Sequence, residues 1–343
     1  MKNKINRLLY LVVLSQFISC SNIFAQNEDN YTFKIDSLLN TKAERLFNGV
    51  VLITQNGIIK YSKVVGYSNF YNQKPLKFEN QFEIMSNSKL ITAVLILKEV
   101  EKGKINLTFS IKKYLPYLNQ SWADTVTVNQ LLNHTSGIVD IEKPLIFKPG
   151  SDFKYGNLSY ILLGKIIEFV TKKPYSEVAN TLFKSLKMQN TFCYSETQNY
   201  VFGHINKENV FKVVEKSQIK KKDLPANGII SNVKDLVIWN AKLHKNGILK
   251  PQSYKLLTTK SFMAQHNVFG KEKVGYGYGI RICENEKTKY IGHTGLGDGF
   301  ASMNLYFPIK DLSIIVLENQ MNDKIELCYH FEIEIKKIIQ QAN

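Results

Sequence analysis

Arginine is nearly missing from this chain. It occurs only at Arg7, Arg45 and Arg281, although lysine and arginine total 45 against 29 acidic residues, a formal net charge of +16. So basic a balance invites a nucleic-acid reading, but phosphate and base-edge recognition favours the guanidinium fork, and no nucleic-acid-binding signature is present. The densest cationic stretch, Lys220, Lys221 and Lys222 with Lys212 and Lys216, reads as a solvated lysine-rich surface that an anionic cell envelope could attract. Nucleic acid is not expected as a partner.

Cysteine is as scarce. Setting Cys20 aside, Cys193, Cys283 and Cys328 have irregular spacing and an odd count, which is no disulfide framework; they read as core thiols. The histidines (His134, His204, His244, His266, His293, His330) are scattered, with no His-Glu-x-x-His, so neither a metal site nor any other cofactor is expected. A phosphate loop and a Gly-x-Ser-x-Gly elbow are both lacking, as are repeats and low-complexity tracts.

Long apolar runs are lacking too. Lys2, Lys4 and Arg7 precede the apolar run Leu8 to Leu14, which is too short to span a bilayer comfortably, and a more polar stretch follows. Residues 1–25 therefore read as a targeting segment. Two exits are open: cleavage after Ala25 in Ile23-Phe24-Ala25, or lipidation of Cys20 in what looks like a loose bacterial lipobox, Phe17-Ile18-Ser19-Cys20. Either way the protein is expected to be exported, periplasmic or secreted, or held as a lipoprotein through Cys20.

What is present suits one large domain or two interlocked ones, with 343 residues of which 44% are hydrophobic. Helical spacing runs from Asn30 to Leu46. Asn56-Gly57 between VVLIT and IIKYSKVVGY is a strong hairpin signal. Helices are expected around Gln130 to Asn133, through Ile161 to Val170, over Tyr175 to Leu186, after a cap at Ser231 or Asn232, and from Lys324 to Gln340. Phe192 to Leu224 reads as long loops or short strands. The runs VGYGYGIRIC, TKYIGH, GFASMNLYF and LSIIVLE are β-rich. Strands at both chain ends with helices between them suggest one antiparallel sheet interrupted by a helical insertion.

The chemistry centres on Gln81 to Val100, QFEIMSNSKLITAVLILKEV. Ser86 and Lys89 share one face at the start of an apolar helix, where unpaired N–H groups and the helix dipole favour an alkoxide and a neutral amine. Ser-x-x-Lys also occurs at Ser110, Ser151, Ser217 and Ser231, but only Ser86 precedes a long apolar helix. A nucleophile needs a base and an oxyanion site. Tyr-x-Asn offers a second base, its phenol pKa lowered by a nearby ammonium, and stands at Tyr67, Tyr117 and Tyr155. His293-Thr294-Gly295 falls on a late strand, and a near-copy, His134-Thr135-Ser136-Gly137, sits in the helical part.

In this order, Ser-x-x-Lys, Tyr-x-Asn and His-Thr-Gly resemble the serine β-lactamase and penicillin-binding-protein superfamily. The branch is that of class C β-lactamases, D-alanyl-D-alanine peptidases and β-lactamase-like esterases. The resemblance runs from about Tyr31 to Ile339 and includes LLNHTSGI, PGSDFKYGNLSYILLGKII and HTGLGDGF. It implies an α+β, β-lactamase/transpeptidase-like fold: residues 30–108 and 270–343 form a sheet domain, 109–269 a mostly helical insertion, and the active site lies between them. It further implies that Ser86 is acylated, with Lys89 as base. Tyr155 follows a Pro-Gly-x-x-Phe lead-in and would move the proton to the leaving group. Asn157 would hold the substrate amide, His293, Thr294 and Gly295 would line the substrate, and the backbone N–H groups of Ser86 and Leu296 would form the oxyanion hole.

His293 replaces the commoner lysine. It is expected to be partly exposed in the cleft and to assist carboxylate binding when protonated. The expected activity is an exported serine hydrolase acting on a peptide, amide or ester of small size, peptidoglycan fragments included, with the protein a monomer. The rivals are a true class C-like β-lactamase and a catalytically silent cell-wall or peptide-binding relative.

Overall fold

The computed structural model describes residues 29–342 except 42–44, 198, 246 and 285–287. The expected targeting segment, with Cys20 and Ala25, lies outside the described residues. The Asn56-Gly57 signal resolves as a tight turn, both residues left-handed (φ 51° and 77°), joining strand β1 (Gly49–Gln55) to β2 (Ile58–Val65). The other strands of this sheet come from the far end of the chain: β3 (Phe262–Ala264), β4 (Val274–Tyr276), β5 (Arg281–Cys283), β6 (Tyr290–Gly297), β7 (Phe300–Phe307) and β8 (Leu312–Glu318). Among the described residues they form one eight-stranded antiparallel sheet in the order β3-β4-β5-β6-β7-β8-β1-β2. The chain ends meet where Gly49 pairs with Glu318 and Gln55 with Leu312. The expected sheet from both ends is therefore what forms. It takes up Phe262–Ala264 as an edge strand, ahead of residue 270.

Every residue of β8 is buried, because helices cover both faces of the sheet. Side chains alternate between the faces. Val50 and Leu52 enter the core shared with the insertion, whereas Val51 and Ile53 pack beneath helices α1 (Asp29–Asn40) and α9 (His330–Gln341). The insertion side holds α2 (Ser88–Glu101), α3 (Val128–Leu132), α4 (Asn157–Thr171), α5 (Tyr175–Ser185), α6 (Leu224–Asn227), α7 (Val233–His244) and α8 (Pro251–Leu257). Helix α2 is buried nearly all round, as its unbroken apolar run requires. Asn232 caps α7 by accepting from the Asp235 N–H at 2.9 Å.

Two helices are shorter than their periodicity suggests, for one shared reason. Arg45 turns inward beneath the sheet, and its guanidinium donates to Glu318 (2.6 and 2.7 Å), Leu327 O (2.8 Å) and Cys328 O (3.1 Å). Helix α1 ends at Asn40, so that residues 45–48 can lead into β1 at Gly49. The carbonyls of Leu327 and Cys328 go to arginine instead of a helical ladder, and α9 starts at His330 after a single 3-10 turn, Ile325–Leu327. The run VGYGYGIRIC divides into β4 and β5 around Gly279 (φ 65°), where a Cβ would lie 2.7 Å from Lys89 O. That turn needs glycine. It brings Arg281 to the edge of the cleft.

Candidate active site

Ser86 lies just before the helix rather than in it. It occupies a single 3-10 turn, Met85–Asn87, from which α2 continues. Met85 is left-handed (φ 49°), a strain that persists only where neighbours enforce it. The enforcing contacts are present. Asn87 Nδ2 donates to Ser302 Oγ and Ser302 Oγ to Ile84 O, both at 2.8 Å, tying the turn to β7. On β6, a Cβ at Gly295 would lie 2.2 Å from Ile84 O and 2.8 Å from Met85 Cβ, so only glycine lets the strand pass this close to the nucleophile.

The strand β5 pairs with β6 only over Tyr290–Gly292. From His293 to Gly297, β6 therefore has an edge with no strand beside it, facing the Ser86 turn. Backbone N–H and C=O groups along such an edge can receive an extended substrate. Thr294, Gly295 and Leu296 sit on this open stretch.

Lys89 is fully buried, and Nζ has three neighbours: Ser86 Oγ at 3.0 Å, Asn157 Oδ1 at 2.8 Å and Ala226 O at 3.0 Å. Among the described residues no carboxylate pairs with it. Burial, and secondarily the charge of Arg281, lowers its pKa to about 7. In the neutral amine two N–H bonds satisfy the amide oxygen and the carbonyl, which can only accept. The lone pair is left for the one partner able to donate, the Ser86 hydroxyl. That is the arrangement of a general base.

Tyr155 is half-buried at the other side of Ser86, with Lys89 Nζ 5.0 Å from its ring centroid. Its pKa moves opposite to expectation. Burial raises it to about 12, outweighing the hydrogen bond to Ser86 and the charge of Arg281. The expected lowering required an ammonium at Lys89, and a lysine near pKa 7 supplies little charge. Tyr155 is thus a neutral phenol that can donate a proton. The other Tyr-x-Asn copies stand apart: Tyr117 is 60% exposed, and Tyr67 packs against Phe70.

His293 is only 2% exposed, not partly exposed as expected. Its Nε2 meets the Tyr276 hydroxyl at 3.1 Å and its Nδ1 the Thr294 carbonyl at 2.6 Å. Burial, then Arg281 and Lys89, holds its pKa well below the usual 6.5, so it is a neutral imidazole and not the cation for a carboxylate. His134, in the near-copy, packs its ring 4.6 Å from that of Tyr155, with both ring nitrogens lacking a hydrogen-bond partner.

The cation of the cleft is Arg281, which sequence reasoning passed over. It is 4% exposed, and among the described residues its Nε and Nη1 have no hydrogen-bond partner. Its guanidinium lies 5.7 Å from the Tyr155 ring centroid and 5.4 Å from that of Tyr276. It lines a cleft of about 470 Å³ with Ser86, Tyr155, His266, His293 and Thr294. A buried guanidinium with idle donors is costly unless an anion completes it. The available signal was its rarity: one of three arginines, just after the glycines of VGYGYG, in a chain that otherwise uses lysine.

A nucleophile beside a buried neutral amine, a phenol and an open strand edge, on a sheet assembled from both chain ends, define a class. The chain belongs to the Beta-lactamase family, whose model matches residues 35–331. It is 28% identical to Protein flp of Staphylococcus aureus (strain COL) over 314 residues, 83% of this chain. The chain spans only 62% of the length of that relative. An octameric penicillin-binding protein homologue from Pyrococcus abyssi superposes with a TM-score of 0.78 at 26% identity, over 90% of this chain and 77% of that one. D-amino acid amidase from Ochrobactrum anthropi SV3 superposes with a TM-score of 0.76 over 91% and 99% of the two chains, sharing the fold at 18% identity.

Proposed function

We propose that the protein hydrolyses a small peptide or amide through an acyl-enzyme on Ser86, and that the leaving half of the substrate carries a carboxylate. The observation that carries this reading is the Lys89 amine, buried without a counter-ion and turned to Ser86 Oγ at 3.0 Å. The Ser86 hydroxyl gives its proton to Lys89 as Oγ attacks the substrate carbonyl. The resulting oxyanion is held by the N–H groups of Ser86 and Leu296. Tyr155 donates its phenolic proton to the departing nitrogen and is reprotonated from Lys89. Water then attacks the ester, with the same groups working in reverse. Arg281, with Thr294, takes the carboxylate of the leaving half.

An amide substrate accords with the D-amino acid amidase among its structural neighbours. A silent binding protein has no use for a lysine that is costly to bury. Intact-mass measurement after incubation with a fluorophosphonate, nitrocefin and a D-alanyl-D-alanine peptide tests the proposal. A single adduct with fluorophosphonate, absent in Ser86→Ala, is expected, with turnover of the peptide. Fast turnover of nitrocefin alone would instead make the protein a dedicated β-lactamase, and no adduct with any reagent would make it a binding protein. Export through residues 1–25 belongs to the same proposal. N-terminal sequencing of the cell-derived protein should start at Gln26, or find a blocked, lipidated Cys20.

A further inference from the structure

The strand β6 passes the nucleophile and ends in a second cavity. At its start, His293 lies beside Tyr155 and Tyr276, next to Arg281. At Gly295 it touches the Ser86 turn. Past Gly297 it reaches Asp298, which lines a cavity of about 300 Å³. With the leaving half of a substrate at the Tyr155 and Arg281 end, where the donated proton is, the acyl half points toward Asp298. Leu296, at the edge of the catalytic cleft, and Asp298 are two residues apart, about 7 Å along a strand.

The lining of this cavity opposes the character of the rest of the protein. On a chain with a net charge of +16 it gathers Glu83, Glu196, Glu215 and Asp298 against Lys216 alone. Glu83 is the informative member. It stands three residues before Ser86, is 1% exposed, and accepts from the Tyr200 hydroxyl at 2.8 Å through Oε1. Its Oε2 is buried and, among the described residues, has no hydrogen-bond partner. Asp298 is already held, accepting from Gln218 N at 2.8 Å and Ser217 Oγ at 3.3 Å. Burial raises the Glu83 carboxyl to a pKa of about 7, and its ionised form, with an oxygen sealed from water, is unfavourable until a cation or donor reaches it.

We infer that this cavity receives an alkylammonium group at the tail of the substrate's acyl half, with Glu83 as its carboxylate partner and Asp298 completing the negative field. The inference rests on the hydrolase reading above. Among the described residues no group of three or more His, Cys, Asp or Glu side chains is arranged to hold a metal ion. The aromatic rings of Tyr194, Tyr200 and Phe300 line the same space and suit an ammonium carried on an apolar stem. Bound there, the ammonium donates to Glu83 Oε2 and leaves the carbonyl carbon at Ser86. Specificity for the acyl half then comes from charge, while the leaving half is chosen by Arg281.

Two p-nitrophenyl esters test this, one of 4-(aminomethyl)benzoic acid and the other of its uncharged counterpart, 4-ethylbenzoic acid. Wild type should prefer the ammonium ester by at least about 10-fold in kcat/KM. Glu83→Gln should reduce that ratio to near one, and Asp298→Asn should reduce it in the same direction. Fluorophosphonate labelling of Ser86 checks that each variant is folded. A wild-type ratio near one, or a ratio that survives Glu83→Gln in a labelled enzyme, overturns the inference and leaves the hydrolase standing. If wild type neither labels nor turns over either ester, the hydrolase reading falls. The cavity is then tested by titrating benzylammonium into Ser86→Ala by NMR: shifts at Glu83 and Tyr200 that vanish in the Glu83→Gln double variant support the cation site, and no shifts refute it. Should Glu83→Gln not fold, Asp298→Asn and Tyr200→Phe provide the same comparison.

Discussion

Lys89 Nζ lies 3.0 Å from Ser86 Oγ, and the amine's other two neighbours, Asn157 Oδ1 and Ala226 O, can only accept hydrogen bonds. The pair therefore acts when Lys89 is neutral. Acylation should rise with pH through about 7 and level off above it, because protonation below that value removes the lone pair. Lys89→Met should lower the acylation rate by about 10²–10⁴-fold. Stopped-flow measurement of the p-nitrophenol burst across pH 5–9 reads both; a flat profile would exclude Lys89 as the base.

The same residue leaves a mark on stability. Unfolded Lys89 keeps its proton to the ordinary lysine range, whereas the folded protein loses it near 7. Between these values the unfolded state binds more protons, so wild type gains stability as pH rises, by at most about 1.4 kcal/mol per pH unit. Lys89→Met lacks this gain. Denaturant unfolding of both proteins at pH 7 and pH 9 should show the difference shifting toward wild type at the higher pH.

Tyr155 titrates far above neutrality, raised to about 12 by burial. An alkaline fall in kcat/KM from loss of its proton should therefore not appear below pH 10. Tyr155→Phe should slow release of a poor leaving group such as an amine by about 10²–10⁴-fold. It should slow p-nitrophenol release much less, because that group leaves without a proton. Parallel kinetics on an anilide and a nitrophenyl ester test the difference.

Arg281→Met should raise KM for carboxylate-bearing peptides by about 10–100-fold, the size of a charge-assisted hydrogen bond. Neutral esters should feel it less. Because Arg281 also helps hold Lys89 below its usual range, its removal should move the acid limb of the pH profile upward. His293→Lys, by contrast, puts a second cation into a buried site beside Arg281, and thermal melts should show a loss of stability.

Arg45 predicts a purely structural effect. Arg45→Met leaves Glu318 and Glu332 buried together without their cation, and should destabilise the protein by about 3–5 kcal/mol. Guanidinium titration measures this.

Local signals in the sequence were enough for the hairpin at Asn56-Gly57, the buried run of α2 and the union of both chain ends in one sheet. Periodicity reports which side chains face a core, and those elements are set by their core faces. The ends of α1 and α9 were not legible, because Arg45 sets them through bonds to residues at the opposite end of the chain. The candidate cluster was read from Ser86, Lys89, Tyr155 and Asn157, whose spacing and lead-in are local. Protonation states were not. The pKa values of Tyr155 and His293 depend on how completely the fold removes water from them, and the importance of Arg281 lies in donors that no residue satisfies. Neither quantity is written in a short motif.

The pairing of β1 with β8 has a consequence for biogenesis. Gly49 is made long before its partner Glu318, so the sheet has a high contact order and closes only after both have been made. Ser86 and Lys89 emerge long before β6 and β7, which hold the nucleophile's turn in its strained geometry. A growing chain carries Ser86 before it carries the strands that brace its turn. The geometry of that turn is thereby withheld until β7 arrives.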